Sequence, residues 1–225
     1  MFNSKKSNKM KKVFLLGALA LYSVTNAQLK FGGKAGYALS EVGDTGAVRS
    51  LSIGGTSISS SSSSTFYAGF LAEYKFTNKW AVQGEILYSP LKGVEEFNSK
   101  TGSIYTDKKL TYTLNNLLVP VSAKYYVIKN LALSGGFNLG VILSAKVKEN
   151  SETNISGTVE KTNNTTNIKK NINSFDFSPF IGAEYNFSNG LFLDTRYNIG
   201  VTDLAKSKDD NIKSRLWQIG FGYKF

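Results

Sequence analysis

Eight ionisable side chains, Glu73, Lys75, Glu85, Lys124, Asp176, Glu184, Asp194 and Arg196, are the candidates for chemistry in this 225-residue sequence. Two carboxylates can divide general acid and base roles when their surroundings separate their affinities for protons. That use needs a cleft open to solvent. With both signs interleaved, the same residues point first to a buried structural network of ion pairs and hydrogen bonds. The sequence has no His and no Cys. Ser/His and Asp/His mechanisms, thiolate chemistry and the usual zinc ligands are therefore excluded, and neither a metal nor another cofactor is expected. Gly32-Gly33 and Gly54-Gly55 lack the strand–loop–helix setting of a phosphate-binding loop. Asn154-Ile155-Ser156 matches a glycosylation sequon by chance within an Asn/Thr-rich stretch. The expectation is a protein that is not an enzyme.

The elements that carry these eight residues alternate apolar and polar side chains with period two. Their apolar faces read Leu29-Phe31-Gly33-Ala35-Tyr37, Phe66-Ala68-Phe70-Ala72-Tyr74-Phe76, Trp80-Val82-Gly84-Ile86-Tyr88 and Leu117-Val119-Val121-Ala123-Tyr125-Val127. Four more lie further along the chain, Leu131 to Ala145, Phe175 to Phe187, Leu191 to Val201, and Trp217-Ile219-Phe221-Tyr223-Phe225. None of these apolar-face positions is charged, as lipid contact demands, because Lys or Arg at mid-bilayer costs about 2 to 4 kcal/mol. The fold expected is an all-β, eight-stranded antiparallel up-and-down transmembrane barrel. Arg in place of Phe70 or Phe137 should then hurt assembly more than a change at the inward Gly69 or Gly136.

Connections support a barrel. Short turns at 77–79, 128–130 and 188–190 alternate with polar stretches at 41–64, from Pro90 to Lys109, at 148–171 and at 205–213, all expected to be loops, with Ser59 to Ser64 a mobile tip. Short turns belong to the periplasmic side, which places both termini there. Tyr74, Phe76, Trp80, Tyr125 and Phe187 at one rim, and Tyr88 and Trp217 at the other, suit the two interfaces. Pro120 and Pro179 fall inside strands, so each is expected at a bulge or an unpaired ladder position.

Five lysines up to Lys12, the apolar run Val13 to Tyr22 and the small residue Ala27 read as a signal peptide over residues 1–27, with the barrel domain at 28–225. Met10-Lys11-Lys12 offers a second start with the same pattern. The apolar run is about half of the 20 residues a spanning helix needs. The 27 basic residues less those five leave 22 against 16 acidic, so the formal +11 falls to +6. That balance does not call for nucleic acid.

The stretches Phe31-Gly32-Gly33-Lys34-Ala35-Gly36, Leu117 to Tyr126 with Pro120, Phe180-Ile181-Gly182-Ala183-Glu184-Tyr185 and Gly220 to Phe225 resemble the PorT-like outer-membrane β-barrel family of Gram-negative bacteria, small barrels of the OmpA/OmpX type. The resemblance implies an outer-membrane location, eight strands and, from its name-giving member, an association with protein secretion. Phe221, Tyr223 and Phe225 look like the signal that barrel-assembly machinery reads. The expected partners are outer-membrane lipid, that machinery and an unidentified protein met by the outer loops or periplasmic turns, with the barrel itself monomeric. A narrow porin-like channel and an exported soluble β-barrel binder are the alternatives. Wide channels need about 16 to 18 strands, twice what this chain supplies.

Overall fold

The computed structural model describes residues 29–44, 50–53, 56–206 and 212–225. The signal peptide, its cleavage near Ala27 and the Gly54-Gly55 pair lie outside the described residues. Eleven strands are present among them: β1 (Leu29–Asp44), β2 (Ser50–Ile53), β3 (Thr56–Lys75), β4 (Trp80–Tyr88), β5 (Leu91–Thr101), β6 (Ile104–Ile128), β7 (Leu131–Ile155), β8 (Thr158–Asn167), β9 (Phe175–Asn186), β10 (Leu191–Ile199) and β11 (Ile212–Lys224). Antiparallel ladders join β1, β3, β4, β6, β7, β9, β10 and β11 in a ring. The ring closes where β11 returns to β1, from Gly32 opposite Lys224 to Asp44 opposite Ile212. Closure leaves the spanning region no edge, so every backbone N–H and C=O there can find a partner without water.

Alternation decides which side each residue faces. Tyr37, Phe66, Phe70, Ile86, Ile181, Ile219 and Phe221 stand on the outside, while Tyr67, Leu71, Glu73, Gln83 and Glu85 are buried within. A soluble protein seldom leaves so continuous an apolar surface uncovered. The inner wall is tight where two staves approach. A Cβ on Gly69 would sit 2.0 Å from the Ile86 carbonyl oxygen and one on Gly136 2.2 Å from that of Val121. Changes at these glycines therefore force the backbone apart, so the condition under which they would serve as mild controls, that their packing is not critical, is not met.

Both strand prolines lie where a ladder fails. The β4–β6 pairing runs from Trp80–Tyr125 to Gly84–Val121 and resumes at Leu87–Leu118, skipping Pro120. Its other side stays paired, opposite Asn138 of β7. The β9–β10 ladder stops at Phe180–Asn198, one residue short of Pro179. A missing N–H costs least at such places. One facing expectation is corrected by a bulge. Between Asn115–Ser144 and Asn116–Ile142 the β6–β7 register slips by one, which turns Ala145 into the core and brings Ser144 Oγ to the Asn115 side-chain amide at 2.8 Å.

The three short turns lie at 76–79, 129–130 and 187–190. Thr77 Oγ1 accepts from the Trp80 amide at 2.9 Å, and Gly190 takes φ +88°, a backbone region that L side chains disfavour. Where they are described, the polar stretches of the first three expected loops are largely strand. The serine run is part of β3, with Ser59 to Ser62 opposite Glu96 to Gly93 of β5. Residues 91–101 and 104–114 pair as a hairpin, and β6 and β7 stay in register up to Ile104–Ile155. Beyond β7, β8 adds from Lys146–Asn167 to Ile155–Thr158. Strands β2, β3, β5, β6, β7 and β8 thus form an open sheet projecting past the barrel. In water a ladder needs no apolar alternation, and the Thr, Ile, Val and Tyr of these stretches favour extended backbone. β6 and β7 each hold 25 residues, of which ~9–11 suffice to cross a bilayer. Roughly 45 Å of strand remains beyond it at about 3.3 Å per residue.

Candidate functional site

The lumen is filled in layers, and its most charged layers lie toward the short-turn end. Deepest toward that end, Lys124 of β6 and Lys224 of β11 face Glu73 of β3 and Glu184 of β9. Lys124 Nζ is 2.7 Å from Glu73 and 2.6 Å from Glu184, and Lys224 Nζ is 2.8 Å from Glu73 and also bridges Glu184. The Tyr126 hydroxyl donates to Glu73 at 2.7 Å. One rung further, Lys34 of β1 and Arg196 of β10 face Glu85 of β4 and Asp194 of β10. Lys34 Nζ lies 3.0 Å from Glu85 and 2.9 Å from Asp194. Arg196 bridges Glu85 directly and reaches Asp194 through Nε at 3.3 Å. Its guanidinium also lies 4.9 Å from the Phe180 ring centroid.

Each quartet holds two cations and two anions and is formally neutral. Gln83 joins them, accepting from Lys124 at 2.9 Å and donating to Glu85 at 2.5 Å. The eight charges come from seven of the eight staves, so the network ties the ring across its middle. Desolvating eight charges is costly, and only mutual contact and hydrogen bonding offset it. Every carboxylate of the two quartets is engaged by cations, so neither quartet offers a free pair to divide acid and base roles.

Toward the hairpin end the filling turns neutral and then apolar. Asn138 donates to Asn198 at 2.7 Å, and Asn198 to Gln218 at 3.2 Å. Above them Leu87, Leu91, Leu114, Leu118, Ile142 and Leu216 pack with Ile172 and Leu204 from the connecting segments. Those segments are laced together, since Asn173 Nδ2 donates to the carbonyls of Asp203 at 2.8 Å and Ala205 at 2.9 Å. Ile172 and Leu204 therefore close that mouth with an apolar plug.

Of the eight residues expected in a lumen network, Glu73, Glu85, Lys124, Glu184, Asp194 and Arg196 stand in the two quartets. Lys75 does not: it is partly exposed near the mouth, its ammonium 3.6 Å over the Tyr126 ring, because the strand there has reached the barrel's end. Asp176 points inward and is buried, yet forms no ion pair among the described residues, standing nearer the hairpin end than Gly182, the β9 partner of Arg196. Lys34 and Lys224, which supply the second cation of each quartet, were not among the eight. Phe221, Tyr223 and Phe225 face outward on β11, with Phe225 75 % exposed and its amide donating to the Phe31 carbonyl at 2.9 Å.

A family model described as outer membrane protein beta-barrel domain matches residues 19–206. Among solved structures, the attachment invasion locus protein Ail of Yersinia pestis is similar with TM-score 0.45 and 17% identity, over 88% of this chain and 99% of Ail. OprG of Pseudomonas aeruginosa gives 0.39 and 17%, over 87% and 95%. Neisserial surface protein A gives 0.37 and 14%, over 87% and 97%. No curated relative matches the sequence.

Proposed function

The chain belongs to the outer membrane protein beta-barrel domain family, and we propose that it is a closed, non-enzymatic member that acts by presenting its projecting sheet to a protein partner outside the cell. The observation that carries this reading is the filled lumen: two neutral quartets, an amide layer and the plug of Ile172 and Leu204 leave solutes no passage. A molecule that neither conducts nor offers free catalytic groups has its exposed polar surface left to work with. The projecting sheet is such a surface. Its outermost strand β8 is exposed along its length and, among the described residues, pairs on one side only, a geometry to which an extended segment can add. In this reading the short turns and both termini lie in the periplasm, the barrel is monomeric, and the lipid band meets the outward aromatic and aliphatic side chains. The resemblance to PorT-like barrels supports a partner within an envelope protein-secretion assembly.

Planar-bilayer recording tests the closed lumen. The purified barrel should insert without a stable open conductance, and large steady openings would replace this reading with the channel. Cross-linking in intact outer membrane, comparing the wild type with a variant shortened across the 94–111 hairpin, tests the partner. The captured protein should be lost with the hairpin while the barrel still assembles.

The assembly reading for the terminal aromatics has its own test. Deleting Phe225 removes a side chain worth at most about 1.5 to 3 kcal/mol of burial, so detergent refolding should suffer little. In cells the loss of assembled protein should be much larger. A deletion variant that reaches the outer membrane at the wild-type level, yet is measurably less stable when refolded, would leave Phe225 a packing residue.

A further inference from the structure

We propose that the lumen holds a small monovalent cation between Asp176 and Asn116, beneath the apolar plug. Every other carboxylate of the lumen interior is met by cations, whereas Asp176, only 2% exposed, meets none among the described residues. No lumen cation is free to move to it. Lys34 and Arg196 each already contact Glu85 and Asp194, and Lys124 and Lys224 each contact Glu73 and Glu184. Asp176 Oδ1 has no hydrogen-bonding partner, and neither side-chain polar atom of the fully buried Asn116 has one. A fully buried amide with neither polar atom engaged and a buried carboxylate oxygen without a partner are each costly, and side by side they frame a site for a cation.

The two groups converge on one place. A Cβ built on Gly140 of β7 would lie 3.1 Å from Asp176 Cβ and 3.2 Å from Asn116 Nδ2, so both side chains flank the same bare backbone position. The Ser214 hydroxyl of β11 lies beside the Asp176 carboxylate. The oxygens within reach are thus a carboxylate, an amide carbonyl after rotation of the Asn116 side chain, and a hydroxyl. Nitrogen and sulfur donors are ruled out by a sequence without His or Cys. All-oxygen sets suit hard cations, and one carboxylate balances one positive charge. Water alone would satisfy the hydrogen bonds and leave the charge unbalanced in a low-dielectric interior. A sodium-sized ion does both, and it ties β6, β9 and β11 together just below the lid formed by residues 168–174 and 200–206.

The test uses the purified full chain in detergent at fixed ionic strength, with choline progressively replaced by sodium, and reads the temperature at which heat-modifiable gel migration is lost. The wild type should gain about 5 °C, saturating with sodium, as expected for a ligand bound only by the folded state. Asp176→Asn should be flat across the same series. Asn116→Asp, which adds a second carboxylate, should become responsive to calcium where the wild type is not, and this arm stands even if Asp176→Asn fails to assemble. A wild type indifferent to sodium overturns the site, as does an equal sodium response in Asp176→Asn. A midpoint that instead tracks pH at constant sodium gives the balancing charge to a proton and likewise overturns it.

Discussion

Arg196→Ala is expected to destabilise the folded barrel by about 3 to 5 kcal/mol, the range found when one partner of a buried ion pair is removed. The reason lies in what remains. Arg196 is buried and bridges both Glu85 and Asp194, so its loss leaves two carboxylates sharing the single charge of Lys34. The quartet goes from neutral to negative in a place water barely reaches, and the gap beside Phe180 adds a packing loss. Urea unfolding in detergent, monitored by the shift from folded to unfolded gel mobility, measures the change. Coupling sharpens the test. Arg196→Met combined with Glu85→Gln removes one charge of each sign and should be less destabilised than Arg196→Ala, because groups in one network are not additive. Equal or greater loss in the double variant would show that the network's charge balance does not govern stability.

The legibility of that network in the sequence has a physical limit. Period two assigns a residue to the inner or outer wall, and for Glu73, Glu85, Lys124, Glu184, Asp194 and Arg196 that assignment suffices. It does not say how far along the barrel axis a residue sits. Lys75 and Asp176 both point inward, but one has run out to the mouth and the other stands above the charged layers. Charge balance offered a hint. The eight named residues comprise five acids and three bases, so at least two cations were missing, and Lys34 and Lys224 sit at inward positions of the first and last strands. Lys224 was masked by its neighbours, since Tyr223 and Phe225 drew the C-terminus toward an assembly role.

The barrel itself was legible because lipid imposes its pattern on every spanning strand. The projecting sheet was not, because water imposes none. Ser59 to Ser64 and the Asn- and Thr-rich stretch of β8 lack apolar alternation and read as loops, yet the serines pair with β5 and β1 and β8 pairs with β7. Cross-strand ion pairs such as Lys109–Glu96 at 2.8 Å and Lys161–Glu152 at 2.9 Å accompany this pairing, each worth little singly. The bulge at Leu143 was equally silent, since an extra residue in a strand leaves composition unchanged while reversing the facing of every residue beyond it.

Phe70→Arg should be the most damaging single change on the outer wall. Phe70 is 75% exposed near the middle of the barrel part of β3, flanked by Gly33 on β1 and Ile86 on β4, and in a membrane that exposure is contact with acyl chains. A guanidinium there costs about 2 to 4 kcal/mol near the midplane, and loss of the ring's lipid contact adds to it. These apolar neighbours give the Arg no anion to pair with, and snorkelling to either interface is longest from the middle of the lipid-facing band. Folded, heat-modifiable protein in the outer membrane should therefore fall severalfold. The comparison position must lie outside the band and away from tight glycines, which Ser62 does, being exposed on β3 opposite Gly93. Ser62→Arg should assemble at close to the wild-type level. Equal losses from the two substitutions would mean that Phe70 does not face lipid, and the outward wall would need another cover.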